Sequence, residues 1–255
     1  MDTLLGKIMA LAIKAGEEIM NIYSRDFSVE YKDDSSPLTE ADKASHEIID
    51  AGLRKIAPDI PVISEEGEPI PYSERKSYRS LWLVDPLDGT KEFIKKNGEF
   101  TVNIALIEGS SPVLGVIYVP AKGVLYYGEK GKGAFKQERG DSPVKLKRTL
   151  LPVGSPVRAL VSRSHPSPEV ADFLKAYNVA SCVEAGSSLK FCLVAEGSAD
   201  LYPRIGPTSE WDTAAGHAIA EAAGCLVATL DGKPLTYNKE SLLNPGFVVS
   251  AVAKG

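Results

Sequence analysis

Leu81-Trp82-Leu83-Val84-Asp85-Pro86-Leu87-Asp88-Gly89-Thr90 is the stretch from which the fold is read. Its first four residues form a short apolar run of the kind that makes a buried strand. Pro86 has no backbone N–H to offer a ladder, so the strand is expected to stop there. Asp85 and Asp88 stand on either side of that break, and a three-residue offset inside a turn can aim both side chains at one point. Gly89 permits a sharp bend or a close approach by a ligand. Thr90 occupies the position of a helix cap, ahead of a helix over residues 91–97. A strand, an acidic turn and a helix start can together hold a hard cation on oxygen and a phosphate on free amides.

An acidic turn alone is common and leaves the function undecided. Two further stretches tip the reading. Val62-Ile63-Ser64-Glu65-Glu66-Gly67 ends a β-branched run in a carboxylate pair, and Trp211-Asp212-Thr213-Ala214-Ala215-Gly216 places Asp212 in the first turn of a helix. Glu-Glu, then Asp-Pro-Leu-Asp-Gly-Thr, then Trp-Asp resembles the ordered signature of the lithium-sensitive, magnesium-dependent phosphatase superfamily that includes inositol monophosphatase. Residues 85–101, Gly186-Ser187-Ser188-Leu189-Lys190-Phe191-Cys192 and Leu201-Tyr202-Pro203-Arg204 are similar to the CysQ-type 3'(2'),5'-bisphosphate nucleotidases within it. The resemblance covers nearly the whole chain. It departs at Gly224-Cys225, where the family often carries Gly-Gly, and that position concerns a helix exit rather than chemistry.

The resemblance implies an α/β (α+β) fold, a layered αβαβα sandwich of the inositol monophosphatase and fructose-1,6-bisphosphatase type. It implies metal ligation by Glu65, Asp85, the Leu87 carbonyl, Asp88 and Asp212, with two or three magnesium ions per site. Carboxylates converging from separated segments repel one another and need compensating cations. Magnesium suits them, being hard, oxygen-seeking and apt to keep waters. Thr39 caps a helix over residues 39–56, and Asp42 three residues on suits a capping-box role. The family pattern also makes Asp42 a catalytic carboxylate partnered with Thr90. Glu65 then orients the attacking water, Gly89 and Thr90 receive the phosphate on their amides, and Asp212 holds the ion beside the leaving oxygen. For the phosphate that is not cleaved, the nucleotidase pattern points to His165, Ser187, Ser188, Lys190 and Arg204. Glu210 is explained as well by the helix dipole. The polar segment 32–37 becomes a flap over the site. The implied activity is removal of the 3'-phosphate of adenosine 3',5'-bisphosphate in sulfur assimilation, with the sulfated nucleotide as a second candidate substrate. Inositol monophosphatase activity and a non-catalytic nucleotide sensor are the alternatives.

Composition bounds the partners. A 255-residue chain can be one large domain or two small lobes. A formal charge of −5 gives no basic footprint for a nucleic-acid polymer, so the expected partner is a small nucleotide. The N-terminal stretch lacks a basic n-region, and Lys7, Lys14, Glu17 and Glu18 interrupt its apolar residues. Neither a signal peptide nor a membrane span is expected. The protein is placed in the cytoplasm, with contact at the inner membrane surface and the oligomeric state left open. Cys182, Cys192 and Cys225 read as buried thiols, and the three scattered histidines offer no zinc site. None of the cysteines has an arginine six residues on, as a cysteine phosphatase would require.

Apolar periodicity predicts a helix over 3–23, a short strand at 28–31, a strand at 62–64 and an exposed connection over 67–79. Strands at 102–107, 113–119, 123–127 and 133–136 read as an antiparallel meander, with Gly128, Gly131 and Gly133 in a hairpin rather than a phosphate loop. The charged, Pro- and Gly-rich segment 138–156 suggests a boundary between lobes 1–145 and 146–255. Beyond it, strands at 158–162, 179–183, 199–202, 226–229 and 247–251 alternate with helices at 167–177, 187–196 and 211–223.

Overall fold

A computed structural model describes residues 3–31, 37–162 and 167–253. The chain opens with α1 (Leu4–Tyr23), then β1 (Val29–Tyr31) and β2 (Pro37–Thr39), an antiparallel pair. Next come α2 (Glu40–Ile56), β3 (Val62–Ser64), α3 (Tyr72–Arg75), β4 (Ser80–Asp88) and α4 (Thr90–Ile94). The meander is β5 (Thr101–Glu108), β6 (Ser111–Val119), β7 (Val124–Glu129), β8 (Gly133–Glu138) and β9 (Val144–Leu146). The remainder is β10 (Val157–Ser162), α5 (Pro168–Leu174), β11 (Val179–Ala185), α6 (Leu189–Glu196), β12 (Leu201–Arg204), α7 (Glu210–Ala223), β13 (Leu226–Thr229) and β14 (Phe247–Ser250). No helix of the described residues is long and apolar enough to cross a membrane.

Strands β3 to β9 lie side by side in chain order in a seven-stranded sheet, and β11-β10-β12-β14-β13 form a five-stranded one. The apolar run of β4 is continuous because both faces of its sheet are covered. Trp82 and Val84 point to one side, where Ile8, Leu11 and Ile19 of α1 and Ile49 and Leu53 of α2 pack. Leu81 and Leu83 point to the other, against Phe191 of α6 and Ala215 and Ile219 of α7. That core continues into Tyr202, Phe247 and Val249 of the second sheet. Leu174 of α5 covers Ala159 and Leu201 on the far side. The layers are therefore helix, sheet, helix, sheet, helix, as the family resemblance implies. Two glycines set the central spacing: a Cβ on Gly115 would lie 2.3 Å from the Ala215 carbonyl oxygen, and one on Gly128 would lie 3.0 Å from the Ile219 Cα. Helix α7 can thus rest directly on the sheet.

Several expectations are corrected. The strand does not end at Pro86; β4 runs to Asp88 and pairs with β5 on both sides of a bulge between Asp85 and Asp88. A bulge leaves residues outside the ladder, so the missing N–H of Pro86 costs no hydrogen bond. Gly89, at φ 93°, is the N-cap of α4, and Thr90 is its first residue; the helix ends at Ile94 rather than 97. The first sheet gains β9, which lies within the segment read as a boundary. The 67–79 connection is anchored, because Arg75 is 3 % exposed and donates to Asn238 Oδ1 and to the carbonyls of Lys239 and Glu240. Cys182 is exposed on the edge strand β11, while Cys192 and Cys225 are buried.

Candidate active site

Three elements deliver the acidic side chains. Glu65 leaves β3 with its N–H bonded to the Val84 carbonyl at 3.1 Å, which fixes it beside β4. The β4 bulge presents Asp85, Leu87 and Asp88, and the first turn of α7 presents Asp212. One carboxylate oxygen from each of Glu65, Asp85 and Asp212 lies within 4.8 Å of the others. Asp85 is 1 % exposed, and its Oδ1 accepts from the Leu87 N–H at 3.0 Å. Burial pushes its carboxyl well above the usual range, and the charges of Glu65, Asp88, Asp212 and Asp42 push the same way. Asp212 is raised by burial and then by Asp88, even though its Oδ2 caps α7 by accepting from the Ser209 N–H at 2.8 Å. Buried carboxylates crowded into mutual repulsion are what a hard divalent cation relieves. The donor set therefore fits such an ion, with all-oxygen ligands at the C-terminal ends of two neighbouring strands and at a helix start.

Asp42 closes the expected capping box and stands within hydrogen-bond reach of Thr90. Its Oδ2 accepts from the Thr39 N–H at 2.8 Å and the Thr39 hydroxyl at 2.6 Å, closing the capping box of α2. Its Oδ1 faces the Thr90 hydroxyl at 3.1 Å, which also lies 3.4 Å from the Leu87 carbonyl oxygen. Because Gly89 takes the cap position, the Thr90 side chain is released for this contact. Burial raises the Asp42 carboxyl above its ordinary value; the Thr39 hydrogen bonds oppose this, and the Glu66 charge adds to it.

A cavity of about 290 Å³ opens onto this cluster, lined among others by Glu65, Asp88, Gly89, Thr90, Ser187, Lys190, Arg204 and Asp212. Lys190 is 4 % exposed, and its Nζ donates to the carbonyls of Ser187 at 2.6 Å and Ala185 at 3.4 Å. The Lys190 ammonium lies 5.5 Å from the centre of the Tyr202 ring. Burial draws its pKa down from 10.5 to about 8, against the pull of Asp88. Arg204 is braced by the carbonyls of Gly206 at 3.2 Å and Pro207 at 3.1 Å. Ser187 is held at φ 48°, a left-handed conformation that side chains rarely adopt.

Not every expected contact takes the expected form. The Ser188 hydroxyl, assigned above to the second phosphate, is hydrogen-bonded to Asp88 Oδ2 and to the Asp212 carbonyl. Glu210 stands in the first turn of α7, as the dipole reading has it, but it is fully buried and also accepts from the Asn238 and Lys239 amides and from Lys239 Nζ, so it anchors a loop as well. His165 and the core of the 32–37 flap lie outside the described residues. Sequence reasoning missed Ser45, whose hydroxyl donates to the Pro86 carbonyl at 2.7 Å from α2 behind the bulge. It also missed Glu92, buried beside Gly186, and Glu99, which accepts from the Gly186 N–H at 2.9 Å. The clearest overlooked signal is Asn103, an amide in the middle of the apolar β5 run.

The family model for the inositol monophosphatase family matches residues 1–251. The chain belongs to the inositol monophosphatase family. Within that family it is 52% identical over 250 residues to a Salmonella typhimurium protein named 3'(2'),5'-bisphosphate nucleotidase CysQ, a match covering 97% of this chain and 99% of the relative. The crystal structure of CysQ from Bacteroides thetaiotaomicron superposes with a TM-score of 0.82 at 47% identity, covering 98% of both chains. The Thermotoga maritima IMPase superposes with a TM-score of 0.81 at 25% identity, covering 97% of this chain and 91% of the other. Membership of the inositol monophosphatase family agrees with the acidic cluster, which is of the kind a metal-dependent phosphatase requires.

Proposed function

We propose that this chain is a magnesium-dependent phosphatase that removes the 3'-phosphate of adenosine 3',5'-bisphosphate to leave AMP, with the sulfated form of that nucleotide as a second substrate. The observation that carries the reading is the meeting of two chemistries in one cavity: the carboxylates Glu65, Asp88 and Asp212, and the cations Lys190 and Arg204. A substrate with one phosphate needs only the first set; a bisphosphate uses both. An apolar cavity of about 610 Å³ adjoins it through shared Ser162, Tyr202 and Arg204, and offers room for a nucleoside. The relatives named nucleotidases support the same substrate class.

Glu65, Asp85, Asp88, Asp212 and the Leu87 carbonyl would hold two or three magnesium ions, which supply Lewis acidity to the phosphate and lower the pKa of the attacking water. The protein's own groups do the rest. The Gly89 and Thr90 amides receive phosphate oxygens at the start of α4. Glu65 orients the water for in-line attack. The Thr90 hydroxyl accepts a proton from that water as it passes its own to Asp42 Oδ1. Because both Thr39 donors occupy Oδ2, Oδ1 is the oxygen available to receive it. The new bond is water oxygen to phosphorus, the bond broken is phosphorus to the ribose 3'-oxygen, which takes a proton from solvent to become the 3'-hydroxyl, and no phosphoenzyme forms. Ser187, Lys190 and Arg204 hold the 5'-phosphate, with His165 as a further candidate.

The test is phosphate release with magnesium from adenosine 3',5'-bisphosphate, 3'-AMP and inositol 1-phosphate. A charge-assisted contact to the second phosphate is worth roughly 1.5–3 kcal/mol. The bisphosphate should therefore exceed 3'-AMP in kcat/KM by about ten- to a hundredfold. Faster turnover of inositol 1-phosphate than of the bisphosphate would overturn the substrate assignment.

A further inference from the structure

Asn103 lies on β5 directly opposite Asp85 in the register and is 1 % exposed. On the sheet face that its side chain shares, Ala105 and Ile117 are buried and apolar, whereas its cross-strand partner Asp85 is buried and polar. Its Nδ2 donates to Ser188 Oγ at 2.8 Å, while its Oδ1 is buried with no hydrogen-bond partner among the described residues. An amide with one atom unmet in a core weakens the fold relative to an apolar side chain of the same shape. A buried amide with an unmet atom, set beside Asp85 and bonded to Ser188, points to a role in the site.

Ser188 carries that role onward. Its backbone N–H donates to Asp88 Oδ2 at 2.5 Å, and its hydroxyl meets both Asp88 Oδ2 and the Asp212 carbonyl, the latter at 2.8 Å. A serine hydroxyl has one proton and two lone pairs. With the Asn103 amide occupying a lone pair, the proton must go toward Asp88 or the Asp212 carbonyl. Asp88 Oδ2 accepts from the Ser188 N–H in either case, so Oδ1 is the oxygen with more lone-pair capacity left for a cation. The same serine begins the turn into α6, two residues before Lys190.

We infer that Asn103 and Ser188 are a pair of positioning residues that lock the Asp88 carboxylate in one orientation and tie the cation site to the segment bearing Lys190. The inference rests on the phosphatase reading above for its substrate arm only. Through this relay, a disturbance at Asn103 reaches both metal affinity and recognition of the second phosphate without touching either ligand.

The experiment compares wild type, Asn103→Leu, Ser188→Ala and the double variant by direct magnesium titration in a calorimeter, by thermal unfolding without magnesium, and by KM for adenosine 3',5'-bisphosphate. Asn103→Leu should melt no lower than wild type, bind magnesium about tenfold more weakly and raise KM by a similar factor. Ser188→Ala should show the same loss, and the double variant should be no worse than Ser188→Ala, because the two act as one unit. Unchanged magnesium affinity in folded Asn103→Leu overturns the inference. So does a double variant whose losses add in full. If wild type binds magnesium but does not hydrolyse the bisphosphate, the substrate reading fails while the titration still decides the positioning role.

Discussion

Lys190 is an ammonium group held out of water by two carbonyl oxygens and an aromatic face, and its pKa of about 8 follows from burial. As pH rises through about 8 the folded protein loses this charge, while the unfolded chain keeps it until near 10.5. Unfolded molecules thus bind more protons in that window, so this group's contribution to stability rises with pH there. Function moves the opposite way. If the charge reads the second phosphate, KM for the bisphosphate should climb toward tenfold per pH unit above about 8, while KM for 3'-AMP stays level. Lys190→Met should have the weak affinity at every pH. A flat KM profile for the bisphosphate between about pH 7 and 9.5 would remove Lys190 from recognition.

At the scale of elements, α7 is fixed at its N-terminus by more than its own capping box. Glu210 draws in Lys239 at 2.5 Å and two backbone amides, and Arg75 clasps the same 238–240 loop from α3. Asp212 stands two residues from Glu210, so this buried clamp sets the height at which a cluster carboxylate enters the site. Lys239→Met would leave the buried Glu210 charge with amide partners alone. We expect a loss of about 3 kcal/mol, the scale for breaking a buried pair by removing one partner. That corresponds to a fall in melting temperature of roughly 6–12 °C for a chain of this size. Following with Glu210→Gln should recover part of it, because the uncompensated charge is gone. Thermal unfolding of the two variants checks this, and a Lys239→Met protein melting with wild type would show that the clamp carries no energy.

The whole molecule is organised around the α6–α7 layer. We propose that 1–145 and 146–255 are halves of a chain rather than units able to fold apart. One apolar cluster contains Leu83, Ile107 and Ile117 from the first half with Phe191, Ile219 and Phe247 from the second. Glu65, Asp85 and Asp88 likewise lie on one side of the division and Asp212 on the other. The segment 1–145 expressed alone would leave one face of its sheet in water, an apolar patch far larger than a monomer tolerates. It should aggregate or unfold without cooperativity, and co-expression with 146–255 should restore both a single melting transition and magnesium binding. Cooperative melting of 1–145 alone would contradict this.

The sequence by itself determined which segments are apolar, which are acidic and where each helix turns its stripe inward. Local periodicity and capping chemistry are encoded within a few residues, so α1, α2, the meander and the α/β alternation were legible. The ordered motif from Glu65 to Asp212 carried a family resemblance, and that resemblance implied the layered fold and the acidic cluster. Tertiary structure decided what depends on partners distant in sequence. Pro86 stays inside a strand because β5 is in place to form a bulge against it, and a local rule for proline cannot see the neighbour. The Ser188 hydroxyl faces Asp88, a hundred positions away, rather than open solvent. Lys190, which alone reads as a surface lysine, is buried because α6 is wedged between two sheets. Asn103 looks like a blemish in an apolar strand until Ser188 is packed against it. Burial, and hence the charge state and reach of a polar group, belongs to the assembled layers and not to the segment that carries it.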